Sequence, residues 1–376
     1  MPSPAPSTDA RSATPLPDTM HAVVCHGPGD YRLERVATPR PGPRELVLKI
    51  HACGICGSDL KCRDGAAMYW GDGERFAAFV KPPMIVGHEF AGEIVALGEG
   101  AAEHFGGVTL GQRVVPEQII PCRQCFYCQR GHYWMCEVHH IFGFQGGVAD
   151  GGMAEHLRVP ENAVLHPVDP RLSMEDAAFL EPLACGIHAV NRAEIQFDDT
   201  VVIAGGGPIG LAMVQLARLK TPKRLILVDT HDDRLELARE YGAEHVFNPH
   251  RDDIAGEVRA LTNGYGCDVY IDATGSPSGV IQGLEALRKL GRFVEFSVFK
   301  EPTQVDWSTI GDRKELDIRG SHLSPHTYPV AIDLLARGLV TTQGIVTHRV
   351  PISDFTRGFE IAAQRDSIKV VLTQDA

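Results

Sequence analysis

The chain has 376 residues, enough for two domains with cores of their own. Its hydrophobic content of 44% and charged content of 22% are ordinary for a globular protein, and no apolar run approaches the ~20 residues that a membrane-spanning helix needs. A formal net charge of −12 argues against nucleic acid or an anionic membrane surface as a partner.

Residues 1–19 are rich in Pro, Ser, Ala and Thr and have no apolar core, so they read as a disordered lead-in and not as a targeting peptide. With no secretory signal, the ten cysteines do not suggest a disulfide framework; the cytoplasm is the expected compartment and metal ligation the better use for clustered thiols. Short bursts of apolar and polar residues, broken by Gly and Pro, predict strands over 20–25, 31–36 and 45–52. The same style continues at 86–97, 113–117 and 153–159, which makes the first half a compact β-rich domain.

Two groups of potential metal ligands lie in that half. Cys53-Gly54-Ile55-Cys56-Gly57-Ser58-Asp59 is followed by Gly87-His88-Glu89-Phe90, and Glu181-Pro182 comes later. Cys, His and a carboxylate are the ligand types of catalytic zinc, which keeps one position open for water or substrate. Taken alone, a buried cysteine and a hydrogen-bonded core histidine would explain the same residues. Cys122, Cys125, Cys128 and Cys136 form C-x2-C-x2-C-x7-C in an otherwise polar stretch. Four thiolates at that spacing can close a tetrahedral structural zinc site, with an iron–sulfur cluster as the rival.

The segment 200–229 is strand, tight turn, helix, strand. An apolar run at 200–204 enters Gly205-Gly206-Gly207-Pro208-Ile209-Gly210, a helical pattern covers 208–219, and a second apolar run at 225–228 ends on Asp229. Gly205 permits the turn, Gly207 lets a pyrophosphate approach the backbone, and Gly210 allows close helix packing. The helix N-terminus offers unpaired N–H groups to the phosphates. Asp229, nineteen residues after Gly210, can accept hydrogen bonds from the adenosine ribose and would repel a 2′-phosphate, which favours NAD. Arg234 leaves NADP open, because an arginine nearby can accept that phosphate. Helices over 232–241, 254–262 and 276–290 and strands over 245–247, 268–273, 292–297 and 316–320 follow, so the second domain has the six strands of a doubly wound sheet.

The combination GICGSD at 54–59, GHEFAGEIV at 87–95, the four-cysteine lobe, EPLAC at 181–185 and GGGPIG at 205–210 resembles the zinc-dependent medium-chain dehydrogenase/reductase family. The likeness runs from about residue 20 onward. Within that family the chain is similar to the polyol dehydrogenases, of the sorbitol and erythritol/L-threitol type. PCRQCFYCQRGHYWMC at 121–136, IDATG at 271–275, EFSVF at 295–299 and GDRKELDIRGSHL at 311–323 carry this closer likeness.

The resemblance implies a GroES-like catalytic domain over 20–184 and 325–376, with a Rossmann NAD-binding domain over 185–324 between its halves. It implies two zinc ions per chain. One would be catalytic, on Cys56, His88 and Glu181 with Glu89 alternating or joined through water; the other structural, on the four cysteines. Ser58 would relay the proton, Asp59 would fix a ligand histidine, and Phe296, Ser297 and Val298 would lie by the nicotinamide. The expected reaction is oxidation of a secondary hydroxyl of a small polyol, a tetritol such as erythritol or L-threitol, to the ketose, in a homodimer or homotetramer. Alternatives are another alcohol, sorbitol, xylitol or threonine-type dehydrogenase, or a non-catalytic NAD-binding redox sensor. Tyr69 and Trp70 fall in a stretch longer than the sorbitol dehydrogenase pattern, and either shape the substrate pocket or plug a loop.

Overall fold

The structure, a computed structural model, describes residues 11–12, 15–364 and 367–375. Most of the expected N-terminal lead-in, residues 1–10 and 13–14, lies outside the described residues. Within it, Arg11–Ser12 pair antiparallel with Glu89–Leu97, and Thr19 already opens the first long strand. No helix among the described residues is long and apolar enough to cross a membrane.

Two compact units make up the chain. The residues up to Glu181 together with those from Val346 form the first, and Pro182–Ile345 form the second. The first is the GroES-like unit. Its main sheet runs, in spatial order, through Leu165–Pro167, Arg113–Pro116, Glu89–Leu97, Leu46–Gly54, Lys369–Thr373 and Val346–Pro351. Strands Leu46–Gly54 and Glu89–Leu97 are almost wholly buried, as their apolar runs predict. The chain's far end returns here: Lys369–Thr373 pairs antiparallel with Leu46–Gly54 and parallel with Val346–Pro351, with helix Phe355–Ala363 as the crossover. A separate sheet holds Thr19–Gly27 and Asp30–Ala37, close to the expected 20–25 and 31–36.

The return occurs later than the expected residue 325. Residues 325–345 belong to the second unit because their polar groups are satisfied there. Thr327 Oγ1 donates to the Ala184 carbonyl (2.9 Å), Gln215 exchanges two hydrogen bonds with the Thr341 backbone, and the Tyr241 hydroxyl donates to the Gln343 carbonyl.

The second unit is a Rossmann fold with a six-stranded, all-parallel sheet. Its strands are β1 (Thr200–Ala204), β2 (Arg224–Val228), β3 (His245–Phe247), β4 (Cys267–Asp272), β5 (Leu287–Glu295) and β6 (Asp317–Gly320). The order across the sheet is β3-β2-β1-β4-β5-β6, which reverses direction between β1 and β4. β1 is buried at every residue, as a central parallel strand must be. The helix expected over 276–290 ends earlier, at Ala286, because Leu287 turns extended and pairs with Cys267 as β5 begins.

Candidate active site

Two separate stretches of the first unit, one around Cys56 and one at His88 and Glu89, converge. Cys56 caps helix Gly57–Arg63 in an extended conformation, and Asp59 of that helix reaches back, its Oδ2 accepting from the Cys56 amide at 2.8 Å. His88 follows Gly87, whose φ of +97° suits glycine and whose Cβ, if present, would stand 2.7 Å from the Cys53 sulfur. Glu89 opens the strand that pairs with Leu46–Gly54, directly across from Gly54. A Cβ on Gly54 would lie 2.2 Å from Glu89 Oε2, so that glycine makes room for the carboxylate.

As a result, one ligand atom each from Cys56, His88 and Glu89 lies within 4.8 Å of the others. His88 Nδ1 is buried without a hydrogen-bond partner, 3.5 Å from Asp59 Oδ1, and its Nε2 is 3.3 Å from the Ser58 hydroxyl. Burial opposes a charged imidazole at His88, yet Asp59 and the Cys56 thiol outweigh it and hold its pKa well above the ordinary value. The surroundings thus favour positive charge at this point. A sulfur, a nitrogen and a carboxylate oxygen so disposed fit a zinc ion.

Glu181, expected as the third direct ligand, is not among the three atoms that converge. It is buried in the first turn of helix Leu180–Ala193, where Gln118 Nε2 donates to its Oε1 at 2.6 Å. Sequence reasoning missed Gln118 and also missed Lys369. The Lys369 ammonium, 4% exposed, donates to both Glu89 oxygens at 2.6 and 2.8 Å and to the Ile55 carbonyl at 3.1 Å. Burial alone would lower its pKa, but Glu89, Cys56 and Glu181 raise it above the ordinary lysine value. Glu181 therefore belongs to the same electrostatic neighbourhood. The one signal in the sequence is a lysine directly before the apolar run Val370, Val371 and Leu372 in strand Lys369–Thr373.

Tyr69 is buried. Its ring stacks on Phe144 at 5.4 Å and 9°, and Phe144 lies 5.5 Å from the His88 ring. Trp70 is turned aside and donates to the Cys62 carbonyl at 2.7 Å.

The sulfurs of Cys122, Cys125, Cys128 and Cys136 also lie within 4.8 Å of one another. Backbone amides of Gln124 and Cys125 donate to Cys122 Sγ and that of Cys122 donates to Cys136 Sγ, at 3.2–3.4 Å. The amides of Cys128 and Glu137 pull the Cys125 thiol down to about 6. Such N–H···S bonds favour thiolates, the form that binds metal. Buried Glu117 anchors the lobe by accepting from the Tyr133 hydroxyl, with His166 Nε2 at 2.9 Å on its other side.

In the second unit Gly205 has φ of +102°, and a Cβ on Gly210 would stand 1.7 Å from the Gly205 carbonyl oxygen. Nothing approaches within 4 Å of where a Gly207 Cβ would be, so the backbone is open there. Pro208 and Ile209 begin helix Pro208–Arg218, with Gly207 as its N-cap. Asp229 Oδ2 accepts from the Gly206 amide at 2.6 Å, and its Oδ1 accepts from the His231 amide at 2.8 Å. Arg234 packs beside the turn, its Cβ 3.2 Å from the Gly206 Cβ position. The arrangement can cradle a dinucleotide phosphate and hold a carboxylate at the end of β2. Phe296, Ser297 and Val298 directly follow β5.

Residues 42–170 match the alcohol dehydrogenase GroES-like domain, and residues 208–337 match the zinc-binding dehydrogenase domain. The chain is 47% identical over 358 residues to the erythritol/L-threitol dehydrogenase of Mycolicibacterium smegmatis, covering 95% of this chain and 98% of that one. It is 33% identical over 352 residues to the sorbitol dehydrogenase of Halalkalibacterium halodurans, covering 93% and 97%. A solved structure from Sinorhizobium meliloti 1021, described as a zinc-binding dehydrogenase and bound to NADP, superposes with a TM-score of 0.85 at 30% identity, covering 94% and 99%. The two-unit fold and these matches together make the chain an oxidoreductase of the zinc-dependent medium-chain dehydrogenase/reductase family, within its polyol and alcohol dehydrogenases.

Proposed function

We propose that the protein oxidises a secondary hydroxyl of a small polyol, a tetritol such as erythritol or L-threitol, to the ketose, with NAD as hydride acceptor. The observation that carries this reading is the convergence of Cys56, His88 and Glu89 to within 4.8 Å, beside a buried Lys369 and Glu181. The 47% identity to a tetritol dehydrogenase supports the substrate. Asp229 supports NAD, since a 2′-phosphate would meet a like charge there; NADP in the Sinorhizobium meliloti structure keeps the second cofactor in the test.

Cys56 and His88 would hold the catalytic zinc, with Glu89 or Glu181 as the carboxylate. Zinc bound there would lower the pKa of a substrate hydroxyl by several units, as it does for water. Ser58, 3.3 Å from His88 Nε2, takes the released proton toward solvent. Asp59 orients His88 from its Nδ1 side and ties the Cys56 amide, so both ligands are fixed by one carboxylate. Cys122, Cys125, Cys128 and Cys136 would hold a second, structural zinc, and Gly205, Gly207, Pro208, Ile209 and Gly210 the pyrophosphate. We further infer a cytoplasmic homodimer or homotetramer.

The test is a panel of tetritols, pentitols, hexitols, simple alcohols and L-threonine with NAD and with NADP, following NADH or NADPH absorbance. The reading expects the highest kcat/KM with a tetritol and NAD. Turnover confined to threonine or to primary alcohols would overturn the substrate, and no turnover with any donor would favour a redox sensor.

A further inference from the structure

Two carboxyl groups lie side by side in the second unit where the proposed chemistry has no use for them. Asp272 ends β4 and Glu295 ends β5, and they are direct register partners in the parallel sheet. The same row continues to Ala204 at the end of β1 on one side and to Gly320 on the other. Gly205, the turn residue, comes next after Ala204. The pair therefore stands at the carboxyl end of the sheet, beside the point where strand order reverses and where such sheets bind dinucleotides.

Asp272 is fully buried. Its Oδ1 accepts from the Thr274 amide and hydroxyl at 3.2 and 2.7 Å, whereas its Oδ2 is buried with no hydrogen-bond partner. A buried carboxylate oxygen without a donor is costly and calls for an explanation. The neighbouring side chain is Glu295, and its Oε1 accepts from the Ser297 amide at 2.6 Å. Ser297 Oγ and the Phe296 amide both donate to the Asp272 carbonyl, at 3.3 and 3.2 Å. Phe296 and Ser297 are thus tied to the backbone of Asp272 and to the carboxyl of Glu295. A single proton on Glu295 gives Asp272 Oδ2 the missing donor and removes the repulsion between the two groups.

We propose that Glu295 is a positioning residue for the dinucleotide: its protonated carboxyl bridges Asp272 and the Ser297 amide, and loss of that proton sets two like charges side by side, drives the Glu295 carboxylate and the Ser297 amide it holds away from Asp272, and so shifts the 296–298 segment and weakens dinucleotide binding. The inference rests on the reading that this unit binds NAD with 296–298 beside the nicotinamide. Burial, then the charge of Asp272, raises Glu295 to about 8, and burial raises Asp272 as well. Tyr270, two residues before Asp272, is kept neutral by burial and by that charge. Gly320 pairs beside Glu295, and Gly279 of helix Pro277–Ala286 lies against Asp272; neither position carries a charge.

The test is NADH binding to the zinc-loaded full chain, followed by nicotinamide fluorescence from pH 6 to 10, for the wild type, Glu295→Gln and Glu295→Leu. In the wild type the dissociation constant is flat below pH 8 and rises by up to about tenfold per unit above it, as for one linked proton. Glu295→Gln supplies a neutral donor and acceptor, so its constant matches the acid-limb wild type and stays flat through pH 8. Glu295→Leu cannot hold the Ser297 amide and binds weakly throughout. Infrared difference spectra of wild type against Glu295→Gln show a protonated carboxyl at pH 7 that is lost by pH 9. A bend at pH 8 that persists in Glu295→Gln, or no bend in the wild type, overturns the proposal while leaving dinucleotide binding intact. Failure of the wild type to bind NADH at any pH overturns the underlying reading and this inference with it.

Discussion

Lys369 and Glu89 form a buried ion pair, 4% and 1% exposed at their side chains, in which one ammonium spans both carboxylate oxygens at 2.6 and 2.8 Å. Breaking such a pair from one side leaves an uncompensated charge in the interior, which typically costs about 3–5 kcal/mol. Lys369→Met is therefore expected to lower the unfolding free energy by about that much. Lys369→Met with Glu89→Gln should recover part of the loss, because neither charge remains. Urea unfolding of the two single variants and the double variant measures the coupling, and additive losses would mean the contact is not an energetic pair.

Cys56→Ser and His88→Ala should each abolish turnover while NADH binding survives, since these residues lie in the first unit and the glycine turn in the second. Activity at wild-type level in either variant would remove the catalytic-metal assignment.

The four-cysteine lobe makes a different prediction. Cys125→Ser should reduce bound zinc from two ions per chain to one and lower the melting temperature, with kcat little changed in the protein that remains folded. Metal analysis beside a thermal scan separates the outcomes: unchanged stability with slow turnover would mark this lobe as part of the chemistry.

Asp229 should select the cofactor. With its carboxylate engaged by the Gly206 and His231 amides, the charge is fixed at the end of β2. Asp229→Ala should shift the ratio of kcat/KM for NAD over NADP toward NADP by roughly ten- to a hundredfold, the equivalent of about 1.4–2.8 kcal/mol. An unchanged ratio would assign discrimination elsewhere, with Arg234 the first residue to replace.

Much of this was legible in the residue order, for reasons that are local. The turn at Gly205 announces itself because a positive φ and a backbone contact leave glycine little competition, and the apolar run before it needs no partner to be recognised as a central strand. The cysteine lobe is legible because its four thiols fall within one short loop. What was hidden is what pairs across the chain. Lys369 meets Glu89 from 280 positions away, and no periodicity encodes that meeting. Only family likeness points to Glu181, and only the fold reveals that Gln118 engages it. The second-unit boundary at 345 was equally unreadable, since it depends on Gln215 and Tyr241 capturing a distant loop.

Glu295 also predicts how stability varies with pH. Its carboxyl is raised from an ordinary value of 4.5 to about 8 in the folded chain, with burial as the main cause and Asp272 next. A folded-state value above the unfolded one means that between these limits the folded protein holds a proton that the unfolded chain has released. Stability is then greatest below about pH 4.5 as far as this group is concerned, falls as pH rises toward 8, and is level beyond it. Because the side chain is partly open to solvent, the full linkage figure must be discounted, leaving about 1–2 kcal/mol. Asp272 shares the transition, so the step belongs to the pair. Glu295→Gln carries no such charge, and its stability advantage over the wild type should open across that window and stay constant above pH 8. Urea unfolding of both proteins at pH 5, 7 and 9 checks this, and curves that run parallel at all three would show that Glu295 ionises as an ordinary surface carboxylate.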